Sequence, residues 1–276
     1  MKLILIFAAA IVAGTSGAQA QEFTGEIGLS VGNSSFINGD DDATRLSERG
    51  YKLSGSAGVT FNDFRIFGDI NSFKRDIGAN NFDDYAPEGA RSIGLHFGRN
   101  FGTAYAGAFI GRNQFQGSDA AVQNDYVSGK LYGIEGEYTM SNLSFFGQIG
   151  RADMVGEVDD TEFVGQFVRL GMSAVVDKMT FTVDLEQGRS ANFEDLEDPG
   201  EYRAFGFAVD YQVSDRVIAT VAYEGMDAIA FDEQTGADDY FSVGVRIPLG
   251  ANTGKRNNLT TTYRPGLAAA WAEALD

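Results

Sequence analysis

The sequence lacks several features that define large classes of protein. It contains no cysteine and only four prolines in 276 residues, and after the N-terminus no segment approaches the roughly 20 apolar residues of a transmembrane helix. Without cysteine the fold has no disulfide bonds and no cysteine-linked lipid anchor. Basic residues are scarce enough to give a formal net charge of −18, so we expect no nucleic-acid partner. The 35 glycines and 12% aromatic residues favour many strands and turns.

The N-terminus has the layout of a secretory signal peptide. Lys2 is followed by an apolar run from Leu3 to about Val12 and then by small residues ending in Ala18-Gln19-Ala20. This run is too short to span a bilayer and precedes an A-x-A cleavage site. We therefore expect residues 1–20 to be a cleaved export signal. Residues 21–250 would form one all-β unit, followed by a tail over 251–276.

Apolar and polar residues alternate in twelve segments, and helical periodicity is nearly absent before residue 265. The predicted strands are 23–33, 50–61, 63–71, 91–99, 103–112, 126–138, 142–151, 163–175, 178–187, 201–212, 216–225 and 239–249. Tight connections such as Asn62-Asp63 and Ser214-Asp215 alternate with long, acidic ones such as SSFINGDDDATRLSER. This spacing predicts an up-and-down antiparallel sheet with short turns at one end and long loops at the other.

Alternation by itself fits either a soluble β-sandwich with apolar residues inside or a transmembrane barrel with apolar residues facing lipid. Three features favour the barrel. The segments have about the 9–11 residues that a tilted membrane strand needs. Large aromatic residues such as Phe61, Phe97 and Tyr138 lie close to the short turns, as in an interfacial girdle. The opposite face is rich in small residues and carries charges in mid-strand, such as Asp184 and Arg246.

Together these patterns resemble bacterial outer-membrane β-barrel proteins of the porin-like kind. The resemblance covers residues 21–250 and includes no diagnostic site motif. It implies a Gram-negative outer-membrane location, periplasmic short turns and extracellular long loops. It also implies three partners: outer-membrane lipids, lipopolysaccharide and the barrel-insertion machinery. A monomer and a homo-oligomer such as a trimer both stay open.

The C-terminus departs from that family. Its members typically end their last strand and the chain on an aromatic residue, whereas here the last strand ends at Leu249 and the chain continues to Asp276. Apolar residues from Pro265 onward have helical spacing, which predicts a short helix. We expect this tail on the periplasmic side, where it would dock loosely, cap the lower mouth, lie on the rim or bind another protein.

The candidate functional residues are polar side chains on the predicted interior face. They are Lys52, Arg65, Asp69, His96, Glu135, Arg169, Asp184, Glu186, Asp210 and Arg246. Acids outnumber bases on this face, which favours cations in an open pore. A packed interior locked by arginine–carboxylate pairs is the alternative. Small residues on this phase, among them Ala104, Ala106, Ser173 and Gly206, favour open space.

The sequence therefore predicts a channel for passive diffusion of small polar solutes, with a weak cation preference. A closed barrel whose acidic loops act in surface interaction or adhesion is the alternative, and an outer-membrane lipid hydrolase is the third. The hydrolase would use His96, but the His-x-Ser pattern of outer-membrane phospholipases and lipid A deacylases is replaced here by His96-x-Gly98. The acidic run Asp40 to Asp42 lacks the ligand rhythm of an EF-hand, which leaves at most weak divalent-ion binding. We predict no catalytic residue, metal site or cofactor.

Overall fold

The computed structural model describes residues 22–38, 46–76, 89–116, 126–156, 162–192, 201–230, 233–251, 254–261 and 264. Twelve strands account for most of them. They are β1 (Glu22–Asn38), β2 (Leu46–Phe61), β3 (Phe64–Asp76), β4 (Gly89–Phe101), β5 (Ala104–Gln116), β6 (Tyr126–Met140), β7 (Leu143–Gly156), β8 (Glu162–Val176), β9 (Met179–Asn192), β10 (Glu201–Ser214), β11 (Val217–Ala230) and β12 (Glu233–Gly250).

The strands form one closed antiparallel barrel in which each strand pairs with its neighbours in sequence. β1 and β12 close it, with Leu29 opposite Val245. Closure pairs the backbone groups along both edges of every strand. A sheet in a membrane requires this, because no water is present there to satisfy unpaired groups. The predicted number, order and pairing of the strands are thus confirmed. This holds for β5 as well, which pairs with β4 on one side and β6 on the other. The observed strands extend beyond the predicted ones mainly at the end away from the short turns.

The short turns all lie at one end of the barrel and have two residues each, at 62–63, 102–103, 141–142, 177–178 and 215–216. Four of them begin with a positive φ, at Asn62, Gly102, Ser141 and Asp177. Glycine, asparagine and aspartate tolerate this left-handed conformation best. The long acidic connections, including Asp40 to Asp42, lie outside the described residues.

The outer surface is an apolar band. On β12, the side chains of Phe241, Val243, Val245 and Ile247 are 43–52% exposed, while Ser242 and Arg246 between them are buried. The aromatic residues near the short turns, such as Phe64 and Phe101, also face outward. A band of exposed apolar side chains around a barrel matches a lipid environment. No helix among the described residues is long and apolar enough to cross a membrane.

The predicted phase is wrong on part of β5. Ala106 lies on the outer face, as does Ala104, whereas Tyr105 and Phe109 are buried in the interior. The small alternating residues of this strand offered little contrast between its two faces. The prediction therefore took the small residues for the interior ones.

Val245 lies midway along the apolar face of β12, so we expect Val245→Arg to lower the free energy of unfolding by about 2–4 kcal/mol, because it would place a charge near the bilayer centre. Urea titration of the barrel folded in lipid vesicles measures this. The same change at Val213, which is exposed beside the turn at 215–216, should cost about 0–1 kcal/mol. Equal losses at both positions would contradict an apolar band centred on Val245.

Candidate functional site

The ten predicted interior residues all lie on the inward face of the barrel. Asp69, His96, Glu135, Asp184, Glu186, Asp210 and Arg246 are buried, and Lys52, Arg65 and Arg169 are partly buried. Each of them has a polar partner in the lumen. Several of these residues also contact a part of the chain that we expected outside the barrel.

Residues 254–261 and 264, here called the lumen segment, lie inside the barrel. Gly250 and Gly254 both have positive φ, at 65° and 90°, where the chain leaves β12. Within the segment Leu259 and Thr261 are completely or almost completely buried. We expected the tail to dock loosely on the periplasmic side, whereas residues 254–261 and 264 lie inside the barrel. The predicted helix from Pro265 onward lies outside the described residues.

The first contacts of the lumen segment are ion pairs near the short-turn end. Lys255 donates a hydrogen bond to Glu137. Arg256 donates two hydrogen bonds to the carboxylate of Asp210 in a bidentate fork, with Nε 3.1 Å from Oδ2 and Nη2 2.8 Å from Oδ1. Arg246 of β12 donates to the same carboxylate, with Nη2 2.8 Å from Oδ2. Asp210 is therefore shared between a barrel arginine and a segment arginine.

The middle of the segment combines polar and apolar contacts. Asn258 donates through Nδ2 to Ser173 Oγ at 3.3 Å, and its carbonyl accepts from Arg169 Nη1 at 3.3 Å. Leu259 packs in a buried apolar cluster with Phe67, Tyr105 and Phe146. The segment thus adds its own apolar residue to apolar side chains of the barrel wall.

Further from the turns, Thr261 contacts His96 and Asp69. The Thr261 backbone N–H lies 3.1 Å from both carboxylate oxygens of Asp69. Its hydroxyl lies 3.2 Å from Nε2 of His96. Ser92 and Asn71 donate to its carbonyl, each at 3.2 Å. The backbone N–H and carbonyl of Thr261 are therefore hydrogen-bonded by side chains of the barrel wall and not by the backbone of a neighbouring strand.

His96 lies between two carboxylates. Its Nε2 is 2.7 Å from Asp69 Oδ2 and its Nδ1 is 2.8 Å from Glu135 Oε2. Its ring stacks on Phe67 at 4.2 Å between centroids and is completely buried. Such a histidine acts as a cross-link between β3, β4 and β6. It is turned away from the outer face where a lipid substrate would arrive.

The last described contact is made by Arg264. Its Nη1 lies 2.5 Å from Asp184 Oδ2 and 3.9 Å from Glu186 Oε2. Arg169 of β8 donates to the same Asp184 oxygen at 3.2 Å. Asp184, like Asp210, is thus shared between an arginine of the wall and an arginine of the segment.

Glycines in the wall make room for the segment. A Cβ atom at Gly94 would lie 1.7 Å from Thr261 Oγ1, and one at Gly206 would lie 2.8 Å from Arg264 Nη2. Both distances are shorter than side-chain atoms tolerate. We expected small interior residues such as Gly206 and Ser173 to leave open space, whereas Arg264 and Asn258 lie against these two residues. In this structure the lumen segment fills that space.

The electrostatic balance of the lumen depends on the segment. The wall pairs Lys52 with Glu224 at 2.5 Å and Arg75 with Asp238, yet its acids still outnumber its bases. Lys255, Arg256 and Arg264 supply cations to that acid excess. Sequence reasoning missed these three residues, although the acid excess and the basic residues of the tail were the signal. Within the described part of the chain no group of His, Cys, Asp or Glu side chains is arranged to hold a metal ion.

No protein-family model and no curated protein matches the sequence, but solved structures match the fold. An outer-membrane channel from Pseudomonas putida F1 has a TM-score of 0.50 at 10% identity, covering 86% of this chain and 98% of that one. The fold is that of outer-membrane β-barrel proteins. The NanC porin has a TM-score of 0.49 at 10% identity, covering 80% of this chain and 100% of that one. The translocator domain of the autotransporter NalP from Neisseria meningitidis has 0.45 at 13% identity, covering 89% and 95%.

In this outer-membrane β-barrel fold the docking of the segment can be followed at a single thiol. The chain has no native cysteine, so Leu259→Cys reports access to one buried position. We expect slow reaction with a maleimide, and faster reaction when Gly94→Ala is added, because the new methyl group displaces Thr261. Overpacking of about 1–3 kcal/mol would raise the undocked fraction about 5- to 150-fold.

Gly55→Ala is the matched control, because the nearest atom to its Cβ would be Ile70 Cγ1 at an ordinary 3.5 Å. It should leave the labelling rate of the Leu259→Cys protein unchanged. Fast labelling of Leu259→Cys alone, with the barrel folded, would contradict a segment docked in the lumen.

Proposed function

We propose that this protein is an outer-membrane channel for small polar solutes, with a preference for cations, and that its own lumen segment closes it. The observation that carries the proposal is the acid-rich lumen neutralised by Lys255, Arg256 and Arg264. When the segment withdraws, these carboxylates would face water and attract cations into the lumen.

The way in which the segment is held supports a reversible closure. Backbone carbonyls of the segment accept hydrogen bonds from side chains of the wall: those of Gly254, Asn258 and Thr261 accept from Arg246, Arg169 and Ser92. Water and dissolved ions can replace such contacts one at a time. A paired strand, by contrast, is held by a continuous ladder of backbone hydrogen bonds that breaks only cooperatively.

A permanently closed barrel is the second candidate, and the packing of the interior favours it. His96, Asn113 and Gln148 are essentially inaccessible to solvent, as expected for a lumen filled with side chains. In that case the acidic connections would act in surface interaction or adhesion. Those connections lie outside the described residues.

We propose no enzymatic step and no cofactor. A hydrolase acting on lipid would need its histidine where lipid arrives, whereas both ring nitrogens of His96 face carboxylates inside the barrel. Cleavage of residues 1–20 on export, the outer-membrane location, contacts with lipopolysaccharide and insertion machinery, and any homo-oligomer belong to the same proposal.

Conductance in a planar bilayer tests the channel. We expect the full-length protein to pass little current. The variant Lys255→Gln/Arg256→Gln/Arg264→Gln should pass a larger and cation-selective current, because the segment loses its ion pairs while the wall keeps its acids. The reversal potential in a salt gradient gives the sign of the selectivity.

A matched control removes three bases that lie outside the lumen, through Lys178→Gln/Arg203→Gln/Arg216→Gln. These residues are exposed on the outer face or in the short turns, so the current should stay at the level of the unaltered protein. If the lumen variant is folded and passes no more current than this control, the closed-barrel alternative is favoured and the channel is refuted.

A further inference from the structure

We propose that the carboxylates of β9 and β10 which hold the segment's arginines form a binding site for small solutes that carry a guanidinium group. The inference rests on the proposed channel, because such a solute reaches the lumen only if the segment can withdraw. Arg264 and Arg256 occupy the two positions of this site in the structure.

The acids of the site lie at successive depths along two neighbouring strands. The register pairs Asp210 with Thr180, Gly206 with Asp184 and Ala204 with Glu186. Asp210 is therefore nearest to the short turns, and Asp184 and Glu186 follow deeper along the lumen. About four residues of strand, roughly 13 Å, separate the two levels. A cation entering from either mouth meets the levels in succession.

The deeper level has the shape of a guanidinium cradle. Gly206 lies directly beside Asp184, and a Cβ there would come within 2.7 Å of Asp184 Oδ1 and 2.8 Å of Arg264 Nη2. The planar group of Arg264 therefore fits against the wall only because residue 206 has no side chain.

Glu186 supplies an independent indication that this level is built for a cation. Its side chain is completely buried, and Tyr202 donates to Oε1 at 2.9 Å. Among the described residues its Oε2 accepts no hydrogen bond, and Arg264 Nη1 approaches it only to 3.9 Å. A buried carboxylate oxygen without a donor is costly, and a free guanidinium can move closer than one attached to the segment.

The level nearest to the short turns, at Asp210, holds its guanidinium by a different geometry. Asp210 is fixed by Thr220 Oγ1 at 2.6 Å and by Arg246 Nη2 at 2.8 Å, and it still offers both oxygens to the fork of Arg256. Two parallel N–H···O bonds match a planar guanidinium and a carboxylate, whereas an ammonium group acts as a point charge. The site should therefore discriminate between cations of equal charge.

The test uses the full chain with Arg264→Ala, which removes the resident guanidinium from the deeper level. Binding of methylguanidinium is measured by calorimetry on the purified barrel in detergent, with methylammonium as the equally charged comparison. We expect methylguanidinium to bind about tenfold more tightly, because its planar group fits the space beside Gly206 and can donate to both Asp184 and Glu186, whereas an ammonium group acts as a point charge. Arg264→Gln is measured in parallel and should behave in the same way.

Two second substitutions in the Arg264→Ala chain separate charge from shape. Glu186→Gln removes the buried negative charge and should weaken methylguanidinium binding. Gly206→Ala keeps every charge but fills the cradle, and it should weaken binding as well. Asp153→Asn changes an acid that pairs with Arg151 and Tyr132 away from the lumen, and it should leave the affinity unchanged.

Three outcomes overturn the inference: no binding to either Arg264 variant, equal affinities for the two cations, or affinity unchanged by both Glu186→Gln and Gly206→Ala. None of them depends on current through the barrel. A conducting barrel without guanidinium preference leaves the channel proposal standing and refutes the site. A barrel that binds methylguanidinium but never conducts supports the site and refutes the channel.

Discussion

A charge buried inside a narrow barrel has to be paired, and the arrangement of the lumen follows from this constraint. Taking a carboxylate out of water costs several kcal/mol even after the protein relaxes, unless cations and hydrogen-bond donors surround it. The wall carries more acids than bases, so part of the compensation comes from elsewhere in the chain. Lys255, Arg256 and Arg264 provide it, and the position of the lumen segment is the geometric consequence.

Shape supports the same arrangement as charge. A barrel of twelve strands is wider than one that its own side chains fill and narrower than an open porin. The lumen segment occupies part of the remaining space where the wall carries glycine, as at Gly94 and Gly206. Leu259 adds an apolar contact in the middle of this stretch. Packing and ion pairing therefore hold the same few residues in place.

These contacts differ in how readily they can be exchanged. The outer apolar band and the closed ladder of strands fix the barrel, while the lumen segment is held by side chains that also bond to one another. Asp184 and Asp210 each keep a barrel arginine, Arg169 or Arg246, when the segment's arginine leaves. The carboxylates would stay oriented in an emptied lumen, which is the property that a selective cation pathway requires.

The alternating pattern and the spacing of the turns determined the barrel, its strand number and the outward and inward faces, because membrane strands have strict periodicity and short-range turns. On part of β5 the inward and outward faces were predicted wrongly, because the small residues around Ala106 differ little in polarity. The inward direction of residues such as Asp184 and Arg246 followed from the same period. Their partners did not, because ion pairs across a lumen join positions far apart in sequence. Only the closed tertiary structure decided that Arg264 pairs with Asp184, because it brings the acidic inward face of the wall and the basic residues of the lumen segment together.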